Sequence, residues 1–313
     1  MADADRAEHR REEPVSGWTR VSVSYCQYDV SAVAGETGMP VYTLGDGLLH
    51  VGGPYQFTGF CGVHTGGIEV RARVLPGPPT EVEDGWDAIS EATLWSPFGE
   101  MSVVGLMGGP PDALTDLTVP RGLVRVRVHA RNRLHETVRT DQDPPEQHEL
   151  HIWAVTEETR RRTVLAGPDD RDWEQKPAKA AEWALLSLVA DDEDGEDLDR
   201  VTVVRHRPAP VEVPATVLPA GDLAIRLEHV DDETLRWTWT TADRPFFPEP
   251  LATLPDGEPS TVRLTSGPDG FTLRHEGVLG RHAFALGVIW DHLLDSPGSY
   301  PWADTPHRLP SPS

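Results

Sequence analysis

Cysteine is almost missing from this chain: Cys26 and Cys61 are the only two in 313 residues. A disulfide framework of the kind that staples small secreted domains is therefore excluded as the basis of the fold. With no CxxC pair and no helix-start context, both cysteines read as small apolar side chains in strands. Long apolar runs are missing as well, and nothing approaches the ~18 residues of a membrane span. Residues 1–14 are charged and lack the apolar centre of a secretory leader. These absences set a cytoplasmic protein with no membrane partner as the expectation. An excess of positive charge is also lacking, since 28 Lys and Arg face 51 Asp and Glu, a net charge of −23. A field of that sign repels phosphate backbones, so nucleic acid is not the expected partner and a basic protein is.

Catalytic signatures are absent from the sequence too. There is no GxSxG elbow. Gly105-Leu106-Met107-Gly108-Gly109 has neither the Lys nor the Ser/Thr of a phosphate loop, and Pro110-Pro111 blocks a helix start behind it. An EF-hand register that puts Gly195 sixth places Ala190 first and Val201 twelfth, which fails at both ends. His148 and His151 lie three apart in an extended stretch, where they face opposite sides and cannot share a metal. No cofactor and no metal site are expected, and the expectation is a binding protein rather than an enzyme.

What is present is punctuation and alternation. The 29 prolines and 28 glycines interrupt helices, because proline lacks an amide donor and glycine loses most entropy on ordering. Between them run stretches that alternate with a period of two, Val21-Ser22-Val23-Ser24-Tyr25, Ile68 to Val74 and Val124 to Arg131, and further strand candidates, Ala92 to Trp95, Met101 to Leu106 and Glu149 to Trp153. After Gly167 the pattern changes. Ala178 to Val189 carries strong helix formers with an apolar stripe, and 191–199 holds seven acids in nine positions, a solvated linker. Strands resume at Val201–Val204, Leu223–Leu227, Leu235–Thr240, Val262–Leu264 and Phe271–Leu273. Arg281 to Leu294 reads as a helix by its length.

The fold class expected is mainly β: two β-sandwich-like domains with a connecting helix and a C-terminal helix. Residues 1–16 read as a disordered arm, 17–167 as the N-terminal sandwich and 168–200 as helix and acidic linker. Residues 201–295 read as a C-terminal β-rich domain and 296–313 as a Pro-rich tail.

Two features are candidates for partner binding. Arg125, Arg127, His129 and Arg131 line one face of a strand, and guanidinium groups spaced two apart can grip carboxylates bidentately. The alternative for the same stripe is pairing with acids on neighbouring strands. Asp192, Asp194, Glu196 and Asp197 are the second candidate, an acidic run suited to a basic surface. Trp237 and Trp239 share a strand face and read as core or as a sugar-stacking platform.

Val21 to Tyr28, His64-Thr65-Gly66-Gly67, Trp86 to Leu94, Val124 to Arg131 and Leu150 to Trp153 together resemble a group of actinobacterial β-sandwich proteins. That group is similar to the competence nuclease-inhibitor family, which restrains a DNA-entry nuclease. The resemblance covers residues 18–165 approximately. It implies a β-sandwich and an inhibitor or immunity role, and it carries no catalytic residues across. The functional expectation is a non-catalytic acidic binding protein that masks a basic nuclease or toxin. The alternatives are a hydrolase with an inter-domain site and a carbohydrate- or partner-binding β module.

Overall fold

The computed structural model describes residues 16–33, 44–45, 47–51, 53–133, 143–159, 162–166, 200–207, 218–220, 223–229, 234–241, 260–267 and 270–295. Among these residues the chain is mainly β, with nineteen strands in two sheets and one α-helix. The helix expected at 178–189, the acidic run at 191–199 and the tail at 296–313 lie outside the described residues.

The larger sheet runs β13 (Arg162–Ala166), β7 (Ala88–Ser96), β10 (Gly122–Arg131), β11 (Gln147–Ala154), β6 (Thr65–Val74), β1 (Thr19–Ser24), β2 (Gln27–Ser31), β5 (Gln56–Phe60), β4 (Leu49–Val51) and β3 (Leu44–Gly45). Most pairs are antiparallel, including β10 with β11. The β11–β6 pair is parallel and aligns Glu149 with Arg71 and His151 with Arg73. At β2 the sheet changes direction. β2 meets β1 only through Ser24 and Gln27, then pairs fully with β5 on one side and β8 (Glu100–Gly105) on the other. The far end folds back until the Trp95 amide donates to the Pro54 carbonyl at 2.7 Å, leaving a nearly barrel-like shape.

One face of every central strand fills that interior. Val124, Val126, Val128 and Ala130 of β10 are fully buried, against Leu150 and Ile152 of β11 and Ile68, Val70 and Ala72 of β6. Burying apolar surface at ~25 cal/mol per Å² is the main drive for this closure. Two close approaches shape it. Gly59 lies under the Tyr28 ring, where a Cβ would come within 2.3 Å, and Gly105 abuts the Ser22 carbonyl at 1.8 Å from its would-be Cβ.

The smaller sheet runs β12 (Glu157–Glu158), β14 (Arg200–Arg207), β19 (Gly270–Leu279), β18 (Ser260–Gly267), β17 (Thr234–Thr241), β16 (Leu223–His229) and β15 (Leu218–Ala220). The strands expected at Val262–Leu264 and Phe271–Leu273 pair as a hairpin, with Gly267 opposite Gly270. The chain then turns directly into α1 (Gly280–Asp295), the helix read from the length of its apolar run. Ala283, Phe284, Leu286, Ile289 and Trp290 of α1 are buried. Gly280 lies flat on the Trp95 ring, so the helix also touches β7 of the larger sheet. Buried side chains of both sheets and of α1 form one contiguous apolar cluster. No helix among the described residues is long and apolar enough to cross a membrane.

The seat of α1 is polar as well as apolar. Arg205 of β14 is 1% exposed and donates to Glu158 at 2.6 Å and to Asp291 of the helix at 2.9 Å. These two charges hold its guanidinium more firmly protonated than usual despite burial. Gly287 makes the approach feasible: a Cβ there would stand 2.3 Å from Arg205 Nη2 and 2.8 Å from Glu158 Oε2. In an exposed helix Gly→Ala would gain about 1 kcal/mol. Here Gly287→Ala is expected to cost about 2–4 kcal/mol, because it overpacks a buried ion pair. Urea unfolding of the variant checks the sign.

Candidate functional site

The outer face of the larger sheet carries the stripe singled out from the sequence, and the period of two places it there. On β10 the valines point into the interior, so Arg125, Arg127, His129 and Arg131 point out. They do not meet open solvent. Arg125 and Arg127 are each 6% exposed and His129 is fully buried, while Arg131 is half-buried. The reason is the loop from β6 to β7, which folds over the face. Trp86 from that loop lies 5.3 Å from the His129 ring and beneath the Arg131 guanidinium at 4.8 Å, and Arg127 donates to the Glu81 carbonyl at 2.9 Å.

A guanidinium removed from water requires a countercharge. Glu91 of β7, level with Arg127, supplies it with both oxygens: Arg127 Nε at 2.7 Å and Arg125 Nε at 3.1 Å. Thr93 accepts a further bond from Arg125. Glu149 of β11 repeats the arrangement one strand over. It bridges Arg71 and Arg73 of β6 and accepts from His151 Nε2 at 3.0 Å. Burial alone would raise its pKa, but the His151 bond and the Arg71 and Arg73 charges bring it to about 2. Five arginines on this face are thus matched chiefly by two carboxylates that each serve two of them.

His129 and His151 stand side by side with ring centroids 4.5 Å apart. His129 Nδ1–H faces the Glu149 carbonyl at 3.3 Å, which leaves its buried Nε2 without a partner, as is His151 Nδ1. Burial, and then the neighbouring His151, lower the His129 pKa to about 4. Beside these residues opens a cavity of ≈ 550 Å³ with Glu91 and Arg125 on its floor and Pro78, Trp153, Thr156, Glu157 and Thr159 around it. That size falls in the range of small-ligand sites.

His148 lies on the other face of β11 from His151. Its Nδ1 accepts from the Tyr28 hydroxyl at 2.9 Å, and its Nε2–H donates to Glu146 at 3.0 Å. Glu146 also accepts from the Gly62 and Val63 amides. The order of groups matches a nucleophile, base and orienting acid. Tyr28 is fully buried, however, and burial followed by the Cys61 and Glu146 charges pushes its pKa well above the ordinary value. A hydroxyl held so firmly protonated and closed off acts as a polar strut between β2 and β11.

Of the residues read from sequence, the structure brings Arg125, Arg127, His129 and Arg131 together on one face. Asp192, Asp194, Glu196 and Asp197 lie outside the described residues. Glu91, Glu149, Arg71 and Arg73 were not singled out from the sequence. Arg71 and Arg73 alternate with Val70, Ala72 and Val74, so the same period-two reading marks them. Glu91 gives no such signal, because β7 is buried on both faces. Among the described residues no group of three or more His, Cys, Asp or Glu side chains is placed to hold a metal ion.

Two measurements follow from this geometry. Glu91→Gln leaves two buried guanidinium groups sharing no carboxylate and is expected to cost about 3–5 kcal/mol; the exposed Arg263→Ala should stay within about 0.5 kcal/mol. Denaturant titration separates them. The second concerns acid. His50 and His129 titrate near 4 and His275 near 3, each lowered by burial. In the unfolded chain each takes up its proton near 6.5. The unfolded state therefore binds more protons between those values, and stability falls as pH drops below 6.5, by about 2 kcal/mol per histidine at pH 5. Thermal midpoints from pH 8 to 5 should decline, and His275→Gln should flatten the decline.

No protein-family model matches this chain, and no curated protein matches it. Two solved structures are similar in part. One is ComJ from Bacillus subtilis, described as an inhibitor of the DNA-degrading activity of NucA, with 10% identity and a TM-score of 0.31 over 44% of this chain and 96% of that one. The other is described as crocagin biosynthetic gene J, with 15% identity and a TM-score of 0.27 over 43% of this chain and 94% of that one. Likenesses of this size leave function to be argued from the residues themselves.

Proposed function

We propose that this chain is a non-catalytic acidic binding protein of the inhibitor or immunity type, masking a basic protein such as a nuclease or toxin. The reading keeps two β-sandwich-like units, 17–167 and 201–295, as its frame. The observation that carries it is where the charge lies. The described residues contain 19 acids and 17 arginines, so the sheets are close to neutral, while the whole chain stands at −23. The arginines of the outer face are balanced internally by Glu91 and Glu149. The excess of carboxylates therefore belongs to other segments of the sequence, above all 191–199.

An excess of acid in segments other than the described strands suits a cationic partner surface, because negative charge steers encounter. In this proposal Asp192, Asp194, Glu196 and Asp197 make the contact. Arg125, Arg127, His129 and Arg131 brace the outer face of the larger sheet. Exposed Tyr25, Phe98 and Met107 offer apolar anchors of the kind enriched at interfaces. The cavity beside Arg125 and Trp153 favours a second reading, a β module that binds a small polar ligand such as a sugar.

The test is calorimetric titration of the full chain into a small basic nuclease, at low and high salt. Binding is expected to weaken with salt and to fall about tenfold, ~1.4 kcal/mol, when Asp192, Asp194, Glu196 and Asp197 become their amides. Binding indifferent to salt and to these substitutions would remove the proposal. Heat on titrating simple sugars, lost in Trp153→Ala, would support the second reading.

A further inference from the structure

The chain's only two cysteines, thirty-five positions apart in sequence, are brought side by side. The Cys61 amide donates to the Cys26 carbonyl at 2.9 Å, directly after the β2–β5 pair Gln27 and Phe60. Residues joined this way in antiparallel chains stand about 5 Å apart at Cα. That is within the ~4.4–6.8 Å that a disulfide spans.

The position of Cys26 is itself informative. Tyr25 and Cys26 form the two-residue turn between β1 and β2 with φ of 55° and 60°. Both central residues of such a turn favour Gly, Asn or Asp, and a Cβ-bearing side chain there carries a strain. Backbone preference therefore does not account for a cysteine at this point. Cys26 is part-exposed, whereas Cys61 is fully buried with its thiol donating to the Val63 carbonyl at 3.3 Å. One sulfur is reachable from solvent and the other is held behind it. Burial, and then the Glu146 charge, push the Cys61 thiol up, so Cys61 is not the sulfur that peroxide oxidises first.

We propose that Cys26 and Cys61 are a redox pair that closes to an intramolecular disulfide, clamping the tip of the β1–β2 hairpin to the end of β5. With peroxide as oxidant, the Cys26 sulfur takes one oxygen to become a sulfenic acid and releases one water. The Cys61 sulfur then attacks it, gives up its proton and expels the oxygen as a second water. Two thiols lose two electrons and two protons; one peroxide is reduced to two waters. The fixed tip is the one that presents Tyr25, which is 67% exposed.

The full chain, treated with hydrogen peroxide, is denatured, alkylated with a maleimide and weighed intact. The expected result is loss of two hydrogens with no maleimide added. A linked peptide pair should carry Cys26 and Cys61, and dithiothreitol should restore two alkylated thiols. The oxidised chain should melt several degrees higher than the reduced one, because the bridge constrains the unfolded state. Cys26→Ser should abolish the bridge and the shift together. Two thiols still open to alkylation after peroxide would overturn the proposal. So would sulfinic acid at Cys26 without a bridge, or a bridge formed only between chains.

Discussion

Strand β10 runs through the middle of the larger sheet with both of its faces covered, and that constraint governs much of the molecule. One face presents valines, and the interior accepts them at no electrostatic cost. The other presents three arginines and a histidine, and covering it with the β6–β7 loop would leave cations stranded away from water. The fold resolves this with neighbours in register. Glu91 sits level with Arg127 on one side, and Glu149 sits level with His129 on the other. Each carboxylate bridges two guanidinium groups, so few acids neutralise many bases. A one-residue slip of β7 or β11 would turn its carboxylate to the wrong face, so the ion pairs specify register as well as balance charge.

The same solution recurs where α1 docks. Arg205 is buried between Glu158 and Asp291, and Gly287 gives the space that the guanidinium occupies. Glu158 belongs to β12, which follows β11 in the chain yet pairs with β14. A short segment thus leaves one sheet and supplies the countercharge for the other. Apolar packing of Trp95 on Gly280 closes the same junction from the side of β7. These contacts use small residues and paired charges where a larger or unpaired group would be costly.

Charge is therefore unevenly distributed along the sequence. Inside the sheets it is matched nearly one for one and serves packing. The surplus acid lies in other stretches of sequence, which is where the proposed recognition of a basic partner is placed. His50, His129 and His275 belong with the packed charge of the sheets, since burial holds each of them neutral and ties stability to pH on the acid side.

Much of the strand pattern was legible in the sequence, because a period of two needs only alternating side-chain polarity. Val124 to Arg131 and Ile68 to Val74 were marked that way, Glu149 to Trp153 and the stretches at 262–264 and 271–273 were marked as further strands, and α1 was marked by the length of its apolar run. The short strands β3, β4, β9 (Leu117–Thr118), β12 and β15 were not, since two or three residues carry no period. The pairing of His148 and His151 with separate networks also followed from alternation. What alternation does not contain is what lies above a face. By itself the sequence determined which residues of β10 share a side and that the chain as a whole is acidic. Only the tertiary structure decided that this side is covered, that Glu91 and Glu149 meet its arginines, and that Cys26 reaches Cys61, because each depends on contacts between residues far apart in the chain.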